Sequence, residues 1–165
     1  MNHHSYFKSI HHPGDAPAAL VYARWLPRPV AACVVPVMIA AMTLALQGDP
    51  VLAVMIWGLP ASLGLATMWA RFQMSKTLAE VHVRAEQAAV RSVQECLGQP
   101  APLAWDHIFE IRKTAGELVV TVGWDTHYLP YAEWPDHHAL TEALRAARRT
   151  ATAAPYPSKT SSSHA

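Results

Sequence analysis

The chain is poor in cysteine, glycine and charge: of 165 residues, two are cysteine, seven are glycine and 15% are Asp, Glu, Lys or Arg. Cys33 lies in an apolar run and Cys96 in a polar region, so no disulfide framework is expected and a reducing compartment suits the polar part. No CxxC pair, HExxH helix motif, phosphate-cradling glycine loop or GxSxG elbow occurs, which removes the usual signatures of zinc sites, nucleotide hydrolysis and nucleophilic catalysis. Thirteen basic against twelve acidic residues leave a formal net charge of +1, too little field to make nucleic acid a partner. Ten histidines are present, but His3-His4, His11-His12 and His137-His138 are adjacent pairs, whereas helical ligation needs i, i+3 or i+4 spacing. On strands, His107 and His127 can meet Asp106 and Asp125 if the register allows. The expectation is a noncatalytic protein with no metal and no cofactor.

Charge is missing altogether from two stretches, Pro29 to Gly48 and Pro50 to Ala70, separated by Asp49. Each has the roughly twenty residues that a hydrocarbon core of about 30 Å requires. The pattern predicts a transmembrane helical hairpin over 29–72. Arg24 and Arg28 precede the first run, Arg71 and Lys76 follow the second, and Gln47-Gly48-Asp49-Pro50 between them is free of basic residues. By the positive-inside rule both termini face the cytoplasm, which places the chain in the cytoplasmic (inner) membrane. Tyr22, Trp25, Trp69 and Phe72 flank the same boundaries, as aromatic side chains at headgroup depth do. About 28 residues precede the first run without an obvious small-residue cleavage site, so the run is read as an anchor and not as a signal peptide.

Gly58, Ser62, Ala66 and Ala70 recur every four residues in the second run and set small side chains on one stripe; Cys33, Val37, Ala41 and Ala45 do the same in the first. These stripes either pack the hairpin on itself or offer a face for a homo-oligomer. Pro36 and Pro60 are sites of kinking. Before the hairpin, residues 1–28 form a cytoplasmic segment with a short interfacial helix over Asp15 to Leu26.

Beyond the hairpin, residues 77–149 suffice for one small cytoplasmic domain. Lys76 to Leu97 leans toward helix by its Ala, Glu, Gln and Arg content, yet Val81 and Val83 alternate with His82 and Arg84 as in a strand. After Gly98-Gln99-Pro100 the pattern is β. Trp105, Ile108 and Ile111 can face a core if the strand begins with a turn or bulge, and Leu118, Val120 and Val122 alternate cleanly. A third strand runs through Tyr128 and Leu129 to Pro130. Asp136 to Arg149 forms a helix with Leu140, Ala143, Leu144 and Ala147 on its apolar stripe. Trp105 is expected in the core, Trp124 at a turn and Trp134 beneath the helix. Residues 150–165 read as a disordered tail.

The sequence Pro102-Leu103-Ala104-Trp105-Asp106-His107-Ile108, followed by Tyr128-Leu129-Pro130 and a terminal helix, resembles the YcxB-like C-terminal domain and, more broadly, the bacterial pleckstrin-homology-like domains that accompany two-helix anchors. Trp105, Ile108, Leu129 and Pro130 carry the resemblance, over roughly Thr77 to Arg149. It implies an α+β membrane protein: a two-helix hairpin, then a small PH-like antiparallel sheet capped by a C-terminal helix, with Glu80 to Cys96 as the first β-hairpin and no catalytic residues. The functional expectation is a membrane-anchored interaction module that docks a protein partner or an anionic lipid surface through Arg71, Lys76, Arg84, Arg145, Arg148 and Arg149. The alternatives are an accessory subunit of a larger membrane complex, working through its hairpin, and, more remotely, a small metal-dependent membrane enzyme.

Overall fold

The computed structural model describes residues 4–97 and 102–153, which fall into two compact units. One, the helical unit, comprises 12–78 and 92–97; the other, the sheet unit, comprises 4–11, 79–91 and 102–153. Gly98 to Pro100, and the tail beyond Ala153, lie outside the described residues.

The helical unit contains α1 (Ala18–Trp25), α2 (Pro27–Gln47) and α3 (Leu52–Lys76). Pro27 opens α2 at a position where its missing N–H has no intrahelical partner to lose. Gly48 closes that helix at φ 79°, donating to Ala45 and Leu44, while Asp49 N–H donates to the Leu44 carbonyl at 3.0 Å. This left-handed cap satisfies carbonyls that the helix end would otherwise leave open. Pro36 and Pro60 both lie inside continuous helices. The two long helices pack on each other, tightly at Gly58, where an added Cβ would stand 2.8 Å from Val37 Cγ1. Ser62, Ala66 and Ala70 are buried, as the small-residue spacing requires. On α2 the corresponding stripe is Cys33, Val37 and Ala41, but it continues to half-buried Leu44, and Ala45 is exposed. With 3.6 residues per turn a four-residue spacing drifts off its face, and an i+11 step returns to it better than i+12.

Both long helices are apolar and long enough to cross a membrane. Their outward side chains are not shielded by the protein: Leu46 is 80% exposed, Leu52 72%, Trp57 77% and Met68 66%.

The sheet unit holds six strands in the order β1-β2-β3-β4-β5-β6: β1 (His4–Lys8), β2 (Leu78–Arg84), β3 (Gln87–Ser92), β4 (Asp106–Lys113), β5 (Glu117–Val122) and β6 (Asp125–Pro130). The sheet is an open antiparallel meander apart from β1, which reaches β2 from far away in sequence, pairing Tyr6 with His82 and Lys8 with Glu80. The expected hairpin over Glu80 to Cys96 forms as β2 and β3, and the chain turns at Ala85-Glu86, with residues 93–96 in turns after the strand. Ala85 sits at φ 45°, the positive φ that favoured two-residue hairpins need at their first loop position, and it does so with a Cβ. The loop between β5 and β6 puts Gly123 in the equivalent place, at φ 59°.

Between β4 and β5 the register shifts between Ile108 and Glu110, so Phe109 is an extra residue. The bulge explains how Ile108 and Ile111, three apart, both turn toward the side occupied by Val122 and Val120, their partners on β5. Helix α4 (His137–Ala153) packs against β4, and Leu140, Leu144 and Ala147 are buried together with Leu118, Val120, Val122 and Leu129. It extends beyond the expected end at Arg149. A short 3₁₀ turn, Tyr131–Glu133, leads to Trp134, which is 2% exposed and the largest fully buried side chain. Trp105 is only half-buried, a correction to its expected place in the core, and Trp124 is fully exposed at its turn.

Candidate functional site

Strand β2 is buried along both faces. Ala79, Val81 and Val83 lie on one face, while Glu80 and His82, two apart and hence on the other, are 7% and 8% exposed. Two buried ionisable side chains in one strand demand partners, and neighbouring strands bring them. From β1, the Tyr6 hydroxyl donates to Glu80 Oε1 at 3.2 Å. Glu80 Oε2 stands 2.8 Å from His82 Nε2, and Arg91 of β3 places Nη1 3.8 Å from the same oxygen. The other nitrogen of the His82 ring, Nδ1, lies 3.2 Å from Nε2 of His4.

Rings enclose this chain of contacts. Tyr6 stacks on His82 with centroids 4.6 Å apart, and Trp105 makes T-shaped contacts with both His4 and His82, centroids 5.6 and 6.4 Å apart. Lys8 Nζ rests 5.2 Å from the Tyr6 ring. A carboxylate only accepts hydrogen bonds, so His82 carries its proton on Nε2 and, when neutral, turns a lone pair on Nδ1 toward exposed His4. The arrangement thus fixes one imidazole by a buried acid and directs its second nitrogen outward. Nitrogen ligands for a soft or borderline metal ion and a hydrogen-bonded proton chain are the two chemistries it can support.

The expected surface residues are distributed differently. Arg145, Arg148 and Arg149 are exposed together near the end of α4, and Arg84 is exposed at the end of β2, paired with His4 across the ladder. Arg71 and Lys76 are exposed near the end of α3, in the helical unit. Gly58, Ser62, Ala66 and Ala70 line α3 as described above.

The strand histidines do not converge. His127 pairs with Val120 and shares its face, whereas His107 precedes inward Ile108 and points to the opposite side. Half-buried His127 is held below the ordinary imidazole pKa by desolvation, with nearby Asp125 partly opposing that shift.

No family model, curated protein or solved structure matches the chain. The cluster around Glu80 was not among the expected sites. The residues that carry it show one local sign in sequence, an acid and a histidine at i, i+2 in a strand otherwise filled by Ala79, Val81 and Val83. Their partner strand lies more than seventy residues away, between His4 and His82, and nothing local announces it.

Proposed function

We propose that the chain is a two-pass protein of the cytoplasmic membrane, with both termini cytoplasmic, whose helical hairpin holds a noncatalytic PH-like domain against the anionic inner leaflet. The observation that carries this reading is the exposure of large apolar side chains on α2 and α3, among them Leu46, Leu52, Trp57 and Met68. A water-soluble protein leaves apolar patches of only a few hundred Å² open, and two such helices exposed along their outer faces need lipid around them. A six-stranded open sheet with a C-terminal helix supports the PH-like assignment of the domain.

The docking element in this reading is the cationic end of α4, where Arg145, Arg148 and Arg149 are exposed. Basic side chains close to an anionic surface contribute about 1 kcal/mol each, attenuated beyond a Debye length. The test is hydrogen exchange of the full chain in lipid nanodiscs. Amides in the last turns of α4 should exchange more slowly in discs containing phosphatidylglycerol than in phosphatidylcholine discs. The difference should vanish at high salt and in the Arg145→Gln/Arg148→Gln/Arg149→Gln variant. Equal exchange in both lipids at low salt rejects the lipid surface as the docking partner.

A second reading, an accessory subunit of a larger membrane complex, is favoured by one feature of the hairpin. Val35, Met38, Ile39, Ala41, Met42, Val51 and Met55 line an apolar cleft of about 490 Å³ between α2 and the start of α3. Adaptable methionine-rich walls suit a further helix. Co-purification of a stoichiometric partner after gentle detergent extraction distinguishes this reading from the first.

A further inference from the structure

We propose that His4 and His82 form a metal-binding site on the sheet, taking Zn(II) or a similar borderline divalent ion, with Glu80 as the acid that orients the inner ligand. Two nitrogens each about 2.0–2.1 Å from one ion at a near-tetrahedral angle stand about 3.1–3.4 Å apart. The Nε2 of His4 and the Nδ1 of His82 are 3.2 Å apart. A ligating histidine characteristically donates its second ring N–H to a carboxylate, which fixes the tautomer and raises the basicity of the ligating nitrogen. His82 does so through Nε2, 2.8 Å from Glu80 Oε2, inside a nearly closed environment. The carboxylate is itself held by the Tyr6 hydroxyl and approached by Arg91. The inner half of a ligand pair is therefore preorganised.

The outer half is adjustable. His4 is exposed on the edge strand, and its ring lies within 10° of parallel to that of His82. A shared ion requires His4 to tilt so that the two lone pairs converge, while its own proton passes from Nε2 to Nδ1. Both nitrogens then coordinate, His82 keeps its proton on Nε2, and no proton is released from the neutral pair. Two protein ligands leave the remaining positions to water or to an exchangeable oxygen or nitrogen ligand, which makes the site an open one and not a closed structural centre. Imidazole pairs suit Zn(II), Cu(II) and Ni(II) over Mg(II) or Ca(II).

The experiment is titration of the purified full chain in detergent with Co(II), whose visible d–d bands report coordination, followed by displacement with Zn(II). One equivalent should bind, with bands of four- or five-coordinate intensity that Zn(II) abolishes. His4→Gln alters only an exposed side chain and should weaken binding about tenfold or more; Glu80→Gln preserves the shape of the acid and should weaken it about 10–100-fold. A His137→Gln/His138→Gln variant should bind as the wild type does. Absence of Co(II) binding at a severalfold excess, or equal affinity of wild type and His4→Gln, overturns the proposal. So does a loss in the His137→Gln/His138→Gln variant as large as that in His4→Gln, since the ion would then belong to histidines at large.

Discussion

Replacing Gly58 by alanine tests the packing of the helical hairpin with a change of sign. The new Cβ would stand 2.8 Å from Val37 Cγ1, with Val37 Cγ2 and Val54 Cγ1 at 3.7 and 3.8 Å. Carbon atoms in good contact are about 3.5–4.0 Å apart, so α2 must retreat by most of an ångström or Val37 must leave its rotamer. Overpacking of this kind costs about 1–3 kcal/mol. Alanine in place of a helical glycine returns about 1 kcal/mol of propensity, so the net loss for Gly58→Ala should be about 0–2 kcal/mol. In a Val37→Ala background the clashing methyl is gone, and the same substitution should be neutral or stabilising. Detergent-solubilised protein titrated with SDS, followed by circular dichroism, gives the four stabilities of the cycle. A coupling of about 1–3 kcal/mol is expected. Additive losses in the two backgrounds would refute the contact.

In the sheet unit, Trp134→Ala should cost about 3–5 kcal/mol because the ring is fully buried, whereas Trp124→Ala, fully exposed at the β5–β6 turn, should stay within about 0.5 kcal/mol. Native-state hydrogen exchange at Val120 reads both. Ala85→Gly should stabilise the β2–β3 hairpin by about 0.5–1 kcal/mol, since φ 45° strains a residue with a Cβ and not glycine; slower exchange at Val83 is the expected sign, and faster exchange contradicts it. Burial lowers the His127 pKa, so in acid the unfolded chain takes up a proton there before the folded one. Stability from this group is present above about pH 6.5 and lost as the pH falls below it, and His127→Gln should flatten the fall in Val120 protection between about pH 7 and pH 5.

The hairpin was legible because a missing feature is unambiguous: neither Pro29 to Gly48 nor Pro50 to Ala70 contains a charge. The β-strands after residue 102 were legible from alternation; the spacing of Ile108 and Ile111 called for a turn or bulge at the start of the strand, and the structure places a bulge within it, at Phe109. Residues 78–92 were not decided by local preference. Their composition favours helix, and strand pairing on both sides of β2 overrides it, as tertiary context does for β structure generally. Strand β1 was missed for a related reason. Its alternate residues His4, Tyr6 and Lys8 are polar or amphipathic and give no apolar period, and its partners come from 80–84. Without β1, Glu80 and His82 look like an exposed face of β2, and the buried cluster cannot be foreseen. The same omission bears on Trp105, which is half-buried and meets the His4 and His82 rings in T-shaped contacts. Trp134, at the end of a 3₁₀ turn outside any regular period, takes the central core position.

The most direct measurement of the central claim, a membrane hairpin with both tails on the cytoplasmic side, is accessibility of single cysteines in intact cells. In a Cys33→Ala/Cys96→Ala background, Gly48→Cys should react with an impermeant maleimide added outside. Ser158→Cys should react only after the cells are lysed. Labelling of Ser158→Cys and not of Gly48→Cys in intact cells would contradict the orientation, and extraction of the whole protein by alkaline carbonate without detergent would contradict the anchor itself.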